Sequence, residues 1–389
     1  MSFRGVGIVL CVAALAVVSV RAAEIPENVH REYVMGATSV YLPANPTTIA
    51  LQGTDWYGHY RSPYIKVLVN GRGPYTFLFD TGASVTTVSS QVARATGAEI
   101  VSNVPGHHAI AKLRELSAGG ISMRDYFVVI ADGDDVDGIL GFNAFGKNYL
   151  TLNLDRRTLV VGSRPLPLPS AVWLPYTLQR HLATIELSID GRRLPTLIDS
   201  GDDAYAWEGT PDDLRGLGFD STPVESAIVY NGQTGATRTR VTSVDGTLEL
   251  GRFYAVRPAV AINESLPLPD IGVDVIEQFV LEYDRIHHRV AFSPLFRGRE
   301  FMVPGERTCG LSISFRQKKR LVRDVLPGRA PAKAGIVRGD TIVAIDGHDA
   351  ELVSYRQWDE IVRGSSGVTI AWERDGRQHS QRFPIIELK

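Results

Sequence analysis

Phe77-Leu78-Phe79-Asp80-Thr81-Gly82-Ala83-Ser84 is the stretch on which the rest of the chain turns. Three apolar residues predict a buried strand, and Asp-Thr-Gly predicts a tight turn with a carboxylate at its tip. An ionised carboxylate beside buried apolar strands needs partners or a shifted pKa. Asp80 therefore asks for a second group, and Pro195-Thr196-Leu197-Ile198-Asp199-Ser200-Gly201 supplies one. The flanks repeat as well. Ile65, Val67 and Val69 alternate into Asn70-Gly71, as Ile185, Leu187 and Ile189 alternate into Asp190-Gly191, so each predicts a strand entering a hairpin turn. Ser90 is expected to cap a short helix over residues 91–94, with Thr210 and Pro211 starting its counterpart. Ile139-Leu140-Gly141 is answered by Asp270-Ile271-Gly272. Closing strands follow over residues 154–161 and 283–292. One β unit is used twice.

Two copies of apolar-apolar-Asp-Thr/Ser-Gly, each followed by an apolar-Gly segment, resemble the pepsin- and retropepsin-like aspartic proteases over residues 62–292. The resemblance implies a mainly β fold: two retropepsin-like acid-protease β-barrel lobes forming a pseudo-dimer. Asp80 and Asp199 would meet at the junction and share one water. Carboxylates about 3 Å apart cannot both ionise cheaply, so one proton is shared and the apparent pKa values split, as aspartic proteases themselves exemplify. One carboxylate then takes a proton from the attacking water. The other protonates the oxyanion and later the departing amine, with no cofactor and no metal. Gly82 and Gly201 let the loops approach without a Cβ clash. By resemblance, Thr81 and Ser200 hydrogen-bond to the opposite loop.

Two positions depart from that pattern. Asp202 follows Gly201 where the first copy has Ala83, and Asp270 stands where the first copy has Ile139. A poorly solvated Asp202 carboxylate near the dyad is expected to raise the dyad's pKa values by about a unit through like-charge repulsion. Flap candidates are Gly106 and His107 in the first half and Tyr230 and Gly232 in the second, where Tyr230-Asn231-Gly232 signals a hairpin. The adjacent pairs His107-His108 and His287-His288 are poor chelators, because neighbours on a strand point to opposite faces.

Beyond Phe292, residues 293–306 read as a linker to a third unit. Gly310-Leu311-Ser312-Ile313-Ser314-Phe315, a strand over 321–326, Ala330 to Ile336, Arg338-Gly339-Asp340, Ile342 to Gly347 and a helix over 354–363 resemble a PDZ domain, an α+β module. The resemblance implies a peptide or chain end adding as a strand beside Leu311, Ser312 and Ile313, with Ile361 helping to line a pocket.

The N-terminus carries Arg4 and an apolar run from Val6 to Val20, short for a membrane span, so a cleaved export signal and a periplasmic location are expected, an uncleaved N-terminal membrane anchor being the other reading. Its removal would leave Cys309 as the only thiol and no internal disulfide. A net charge of -2 in 389 residues offers no nucleic-acid footprint. The 37 glycines and 21 prolines suit many short strands. The expected division is a signal at 1–23, an extension at 24–61, a first lobe at 62–162, a Pro-rich linker at 163–170, a second lobe at 171–297 and a PDZ domain at 305–389. A monomeric endopeptidase acting on polypeptides follows. The other reading is an exported peptide-binding protein with a degenerate cleft.

Overall fold

In a computed structural model of the protein, residues 39–52, 62–103, 108–132, 136–231, 235–315 and 319–389 are described. The expected export signal and the flap candidates Gly106, His107 and Gly232 lie outside them. Strand Tyr64–Val69 buries alternate side chains and turns through Asn70 and Gly71 into strand Arg72–Asp80. Both turn residues have left-handed φ, 51° and 77°, the two-residue geometry that matches strand twist. The second half repeats this. Strand Leu182–Ile189 turns through Asp190 (49°) and Gly191 (81°) into Arg192–Ile198.

Each of these inner strands is flanked by a parallel partner. Gly138–Gly141 lies beside the first, aligning Gly141 with Asp80. Asp270–Ile271 lies beside the second, aligning Ile271 with Ile198. Parallel strands are buried on both faces, so each acidic turn emerges from the interior of its lobe.

The first lobe is built on an eight-stranded sheet and the second on a ten-stranded one. A six-stranded sheet joins them, because the hairpin Tyr149–Asn153/Thr158–Gly162 of the first half pairs with the hairpin Phe279–Asp284/Arg289–Pro294 of the second, Leu150 opposite Tyr283. The strands expected to close each half thus hold the two halves together. The first begins at Tyr149, and residues 154–157 form its turn. From the N-terminal extension, Ser39–Tyr41 and Thr47–Ala50 add as edge strands to the first lobe and to the joining sheet.

Three local expectations are corrected. Ser89, not Ser90, caps the helix Ser90–Thr96, accepting the Val92 N–H at 3.2 Å, while Ser90 turns to Asp132. Thr210 and Asp213 exchange the bonds of a capping pair, but the chain makes one turn and leaves at Gly216 (φ 83°) instead of forming a helix. Residues 293–306 are not a free linker. Phe296 and Phe301 pack on Phe279 with ring centres 5.3 and 5.8 Å away, so the aromatics fix the segment to the core. The second histidine pair is structural: His287 contacts Asp284 at 2.8 Å and His288 stacks on Tyr176.

The C-terminal unit has a five-strand path, Leu311–Ser314, Arg320–Val325, Thr341–Ile345, Gly367–Arg374 and Arg377–Pro384, with Leu311–Ser314 at its edge. Its helix Tyr355–Gly364 starts in a capping box between Ser354 and Gln357. The unit has its own core, with Leu311, Ile313 and Ile361 buried in it. It is docked on the protease-like part. The Tyr355 hydroxyl donates to Asp203 at 3.4 Å, the Arg356 guanidinium lies 4.6 Å above the Tyr64 ring, and Arg363 donates to both oxygens of Asp274 at 3.1 and 2.9 Å. Tyr205, Val241 and Ala261 of the second lobe share an apolar cluster with Leu326 and Leu388. Among the described residues, no helix is long and apolar enough to cross a membrane.

Arg363 and Asp274 are 9% and 6% exposed, so breaking the pair leaves a buried charge. Arg363→Met is expected to destabilise the full chain by about 3 kcal/mol or more in urea unfolding. A loss under about 0.5 kcal/mol, the value of an exposed pair, would contradict this account of the docking.

Candidate active site

The two Asp turns meet because each is tied to the other's strand. The Thr81 N–H donates to Ser200 Oγ at 3.0 Å, and Thr81 Oγ1 donates to the Ile198 carbonyl at 2.6 Å. In mirror fashion the Ser200 N–H donates to Thr81 Oγ1 at 3.0 Å, and Ser200 Oγ donates to the Phe79 carbonyl at 2.9 Å. Each hydroxyl donates once and accepts once, and both residues are fully buried. Buried polar groups need such saturation. Both glycines sit where a side chain cannot: a Cβ on Gly82 would strike the Asp199 carboxylate and one on Gly201 the Asp80 carboxylate, each well under 3.0 Å.

This arrangement brings Asp80 and Asp199 within hydrogen-bonding reach of each other, 6% and 1% exposed. Within each turn one oxygen is held by the backbone: Gly82 N–H donates to Asp80 Oδ1 and Gly201 N–H to Asp199 Oδ1, both at 2.7 Å. Burial pushes the Asp80 carboxyl well above the usual carboxylate range, and the facing Asp199 adds to it. Burial also raises Asp199, opposed by its hydrogen bonds. The pair therefore suits one shared proton, the protonation state that general acid–base attack by water requires.

Asp202 is fully buried, and its backbone N–H, not its carboxyl, meets Asp199 Oδ1, at 3.2 Å. Its Oδ1 accepts the N–H groups of Ala204 (2.9 Å) and Tyr205 (3.3 Å). Its carboxyl also lies beside those of Glu208 and Asp270, ligand atoms of the three lying within 4.8 Å of one another. Burial comes first in raising Asp202, followed by Glu208 and Asp199. Glu208 is pushed up to about 7, mainly by burial, against a 2.8 Å bond from Asn263. Asp203 is also pushed up to about 7 by burial and Asp359, between Ser62 (2.8 Å) and Tyr355.

Of the remaining sequence candidates, Tyr230 is described only as strand backbone opposite Ala236. Leu311, Ser312 and Ile313 lie on the edge strand of the C-terminal sheet, and Ile361 is wholly buried beneath it. Sequence reasoning missed Glu208, Asp203 and Arg363. An acid inside the apolar run Tyr205-Ala206-Trp207-Glu208 is the one signal that pointed to Glu208.

A model described as aspartyl protease matches residues 65–144, and one described as PDZ domain matches residues 300–371. The chain has a protease-plus-PDZ architecture. No curated protein matches it.

Two outcomes are expected. Thr81→Val removes one hydroxyl and orphans the Ser200 N–H and the Ile198 carbonyl. It should cost at least about 2 kcal/mol in urea unfolding, with Thr81→Ser restoring most of it; an unchanged midpoint would refute the grip. The second concerns pH. Asp203 is raised in the folded state, so that state holds more protons than the unfolded one. Its stabilisation is full in acid and lost as pH rises through about 7. The unfolding midpoint should fall from pH 5.5 to 8, and less so in Asp203→Asn; an identical slope in the variant would contradict this.

Proposed function

We propose that the chain is an aspartic-type endopeptidase that hydrolyses peptide bonds with water activated between Asp80 and Asp199. The observation that carries this reading is the reciprocal Thr81/Ser200 bonding, which brings two buried carboxyls face to face. A cleft that merely held peptides has no chemical need for two carboxylates sharing a proton, since that arrangement costs stability. Water bound between the acids loses a proton to the ionised carboxylate as it attacks the peptide carbonyl. The protonated carboxyl donates to the developing oxyanion, and the proton first taken from water then goes to the departing amine. Neither step needs a covalent enzyme intermediate. The degenerate-cleft reading rested on Asp202. Its Oδ1 is held by the Ala204 and Tyr205 N–H groups, its carboxyl lies beside those of Glu208 and Asp270, and the group it offers Asp199 is its backbone N–H, which supports reading the dyad as two residues.

The PDZ unit is proposed to recruit polypeptide. Its strand Leu311–Ser314 ends its sheet, the kind of edge to which an extended peptide adds as a strand, and the second lobe's strand Val224–Asn231 comes near it. A chain held there passes beside the protease lobes. Export to the periplasm remains the proposal made by residues 1–23.

Cleavage of an unfolded protein such as casein by the full chain, followed from pH 3 to 8, tests the reading. Activity should be lost in both Asp80→Asn and Asp199→Asn, and blocked by a hydroxyl-bearing transition-state analogue. Cleavage that survives either substitution would overturn it, as would no cleavage at any pH by a folded chain.

A further inference from the structure

The two departures from the repeated pattern meet in space. Asp202 follows the second Asp-Ser-Gly where the first lobe has Ala83, and Asp270 stands where it has Ile139. Glu208 pairs across strands with Asp270, as Thr87 pairs with Ile139 in the first lobe. The lobes share one architecture, so the first is an internal control: its Ala83, Thr87 and Ile139 carry no charge, and the second lobe has replaced all three with acids.

Those acids are 0% exposed. Four of their oxygens, Asp202 Oδ2, Glu208 Oε1 and both of Asp270, have no hydrogen-bond partner among the described residues. The charged groups that act most strongly on Asp270 are all other carboxyls, Glu208 first and then Asp202, Asp199 and Asp80. A buried carboxylate without compensation is among the costliest features a fold can hold. The other oxygens are fixed: Asn263 holds Glu208 Oε2, and the Ala204 and Tyr205 N–H groups hold Asp202 Oδ1. Such second contacts orient ligands toward a common centre.

We propose that Asp202, Glu208 and Asp270 form a binding site for one oxygen-preferring divalent cation of the calcium type. Oxygens on opposite sides of a calcium ion stand about 5 Å apart, from bond lengths of about 2.3–2.6 Å. The ligand atoms here lie within 4.8 Å of one another and fit one coordination sphere. An all-oxygen donor set selects calcium, magnesium or manganese over zinc or copper. Asp270, with both oxygens free, suits two-toothed ligation of calcium, whereas magnesium demands stricter octahedral geometry and keeps its waters. The ion would tie the loop after Asp199 to the strands Trp207–Gly209 and Asp270–Ile271, bracing the second Asp turn from behind. This departs from the metal-free expectation of the sequence and does not depend on peptide cleavage.

The test is equilibrium dialysis of the chelator-treated full chain against Ca2+, with Mg2+ and Mn2+ in parallel, and the thermal midpoint with and without ion. One Ca2+ per chain and a raised midpoint are expected. Asp270→Asn and Glu208→Gln should each weaken binding about tenfold or more, with near-ultraviolet circular dichroism checking that at least one is folded. Without ion, Asp270→Asn should melt at or above the ion-free parent, because it removes a buried acid whose strongest charged neighbours are other carboxyls and whose ionisation the fold must suppress. Asp199→Asn should keep the ion, separating this site from the dyad. No bound ion at millimolar concentration would overturn the proposal and leave the acids neutralised by protons alone. Binding unchanged in both cluster variants, or lost in Asp199→Asn, would overturn it as well.

Discussion

Everything near the candidate site depends on four hydrogen bonds between two turns. Thr81 and Ser200 each satisfy a backbone group of the opposite lobe, and each is satisfied in return. Neither turn can place its carboxylate without the other. The glycines add the complementary steric condition, since any Cβ there would occupy the partner's carboxylate. The six-stranded sheet beneath the lobes holds the halves together, so the grip is made within one chain. Its geometry in turn sets the electrostatics: two buried carboxyls facing each other, better off when the pair holds one proton.

The lobes are alike in backbone and unlike in charge. Behind Asp80 stand Ala83, Thr87 and Ile139; behind Asp199 stand three carboxyls in the same places. The PDZ unit adds to this asymmetry, because Asp203 reaches Tyr355 and Asp274 holds Arg363. Acids of the second lobe therefore face the dyad, a buried cluster and the PDZ helix at once. A change on the PDZ side meets the loop that carries Asp199 within a few residues.

The doubled unit was legible because hairpin turns, Asp-Thr/Ser-Gly and apolar-Gly segments leave local marks in sequence. Asn70-Gly71 and Asp190-Gly191 announce turns that only left-handed φ can make. Long-range partners leave no such mark. Asp202 was visible as a departure and expected to press on the dyad, but nothing local says that its carboxyl joins Glu208 and Asp270. Residues 293–306 read as a linker because their composition is loop-like; their aromatics pack on Phe279, which only the fold brings near. Thr210-Pro211 carries a helix-start signal, but Gly216 ends the chain's first turn.

The central claim is that Asp80 and Asp199 titrate as one unit. Carboxyl-carbon NMR of Asp-labelled full chain, followed across pH, tests it most directly. The account predicts two coupled steps, the upper one well above the ordinary carboxylate range, replaced by a single step at Asp199 in Asp80→Asn. Two carboxyls that titrate independently in the ordinary range near pH 4 would contradict it.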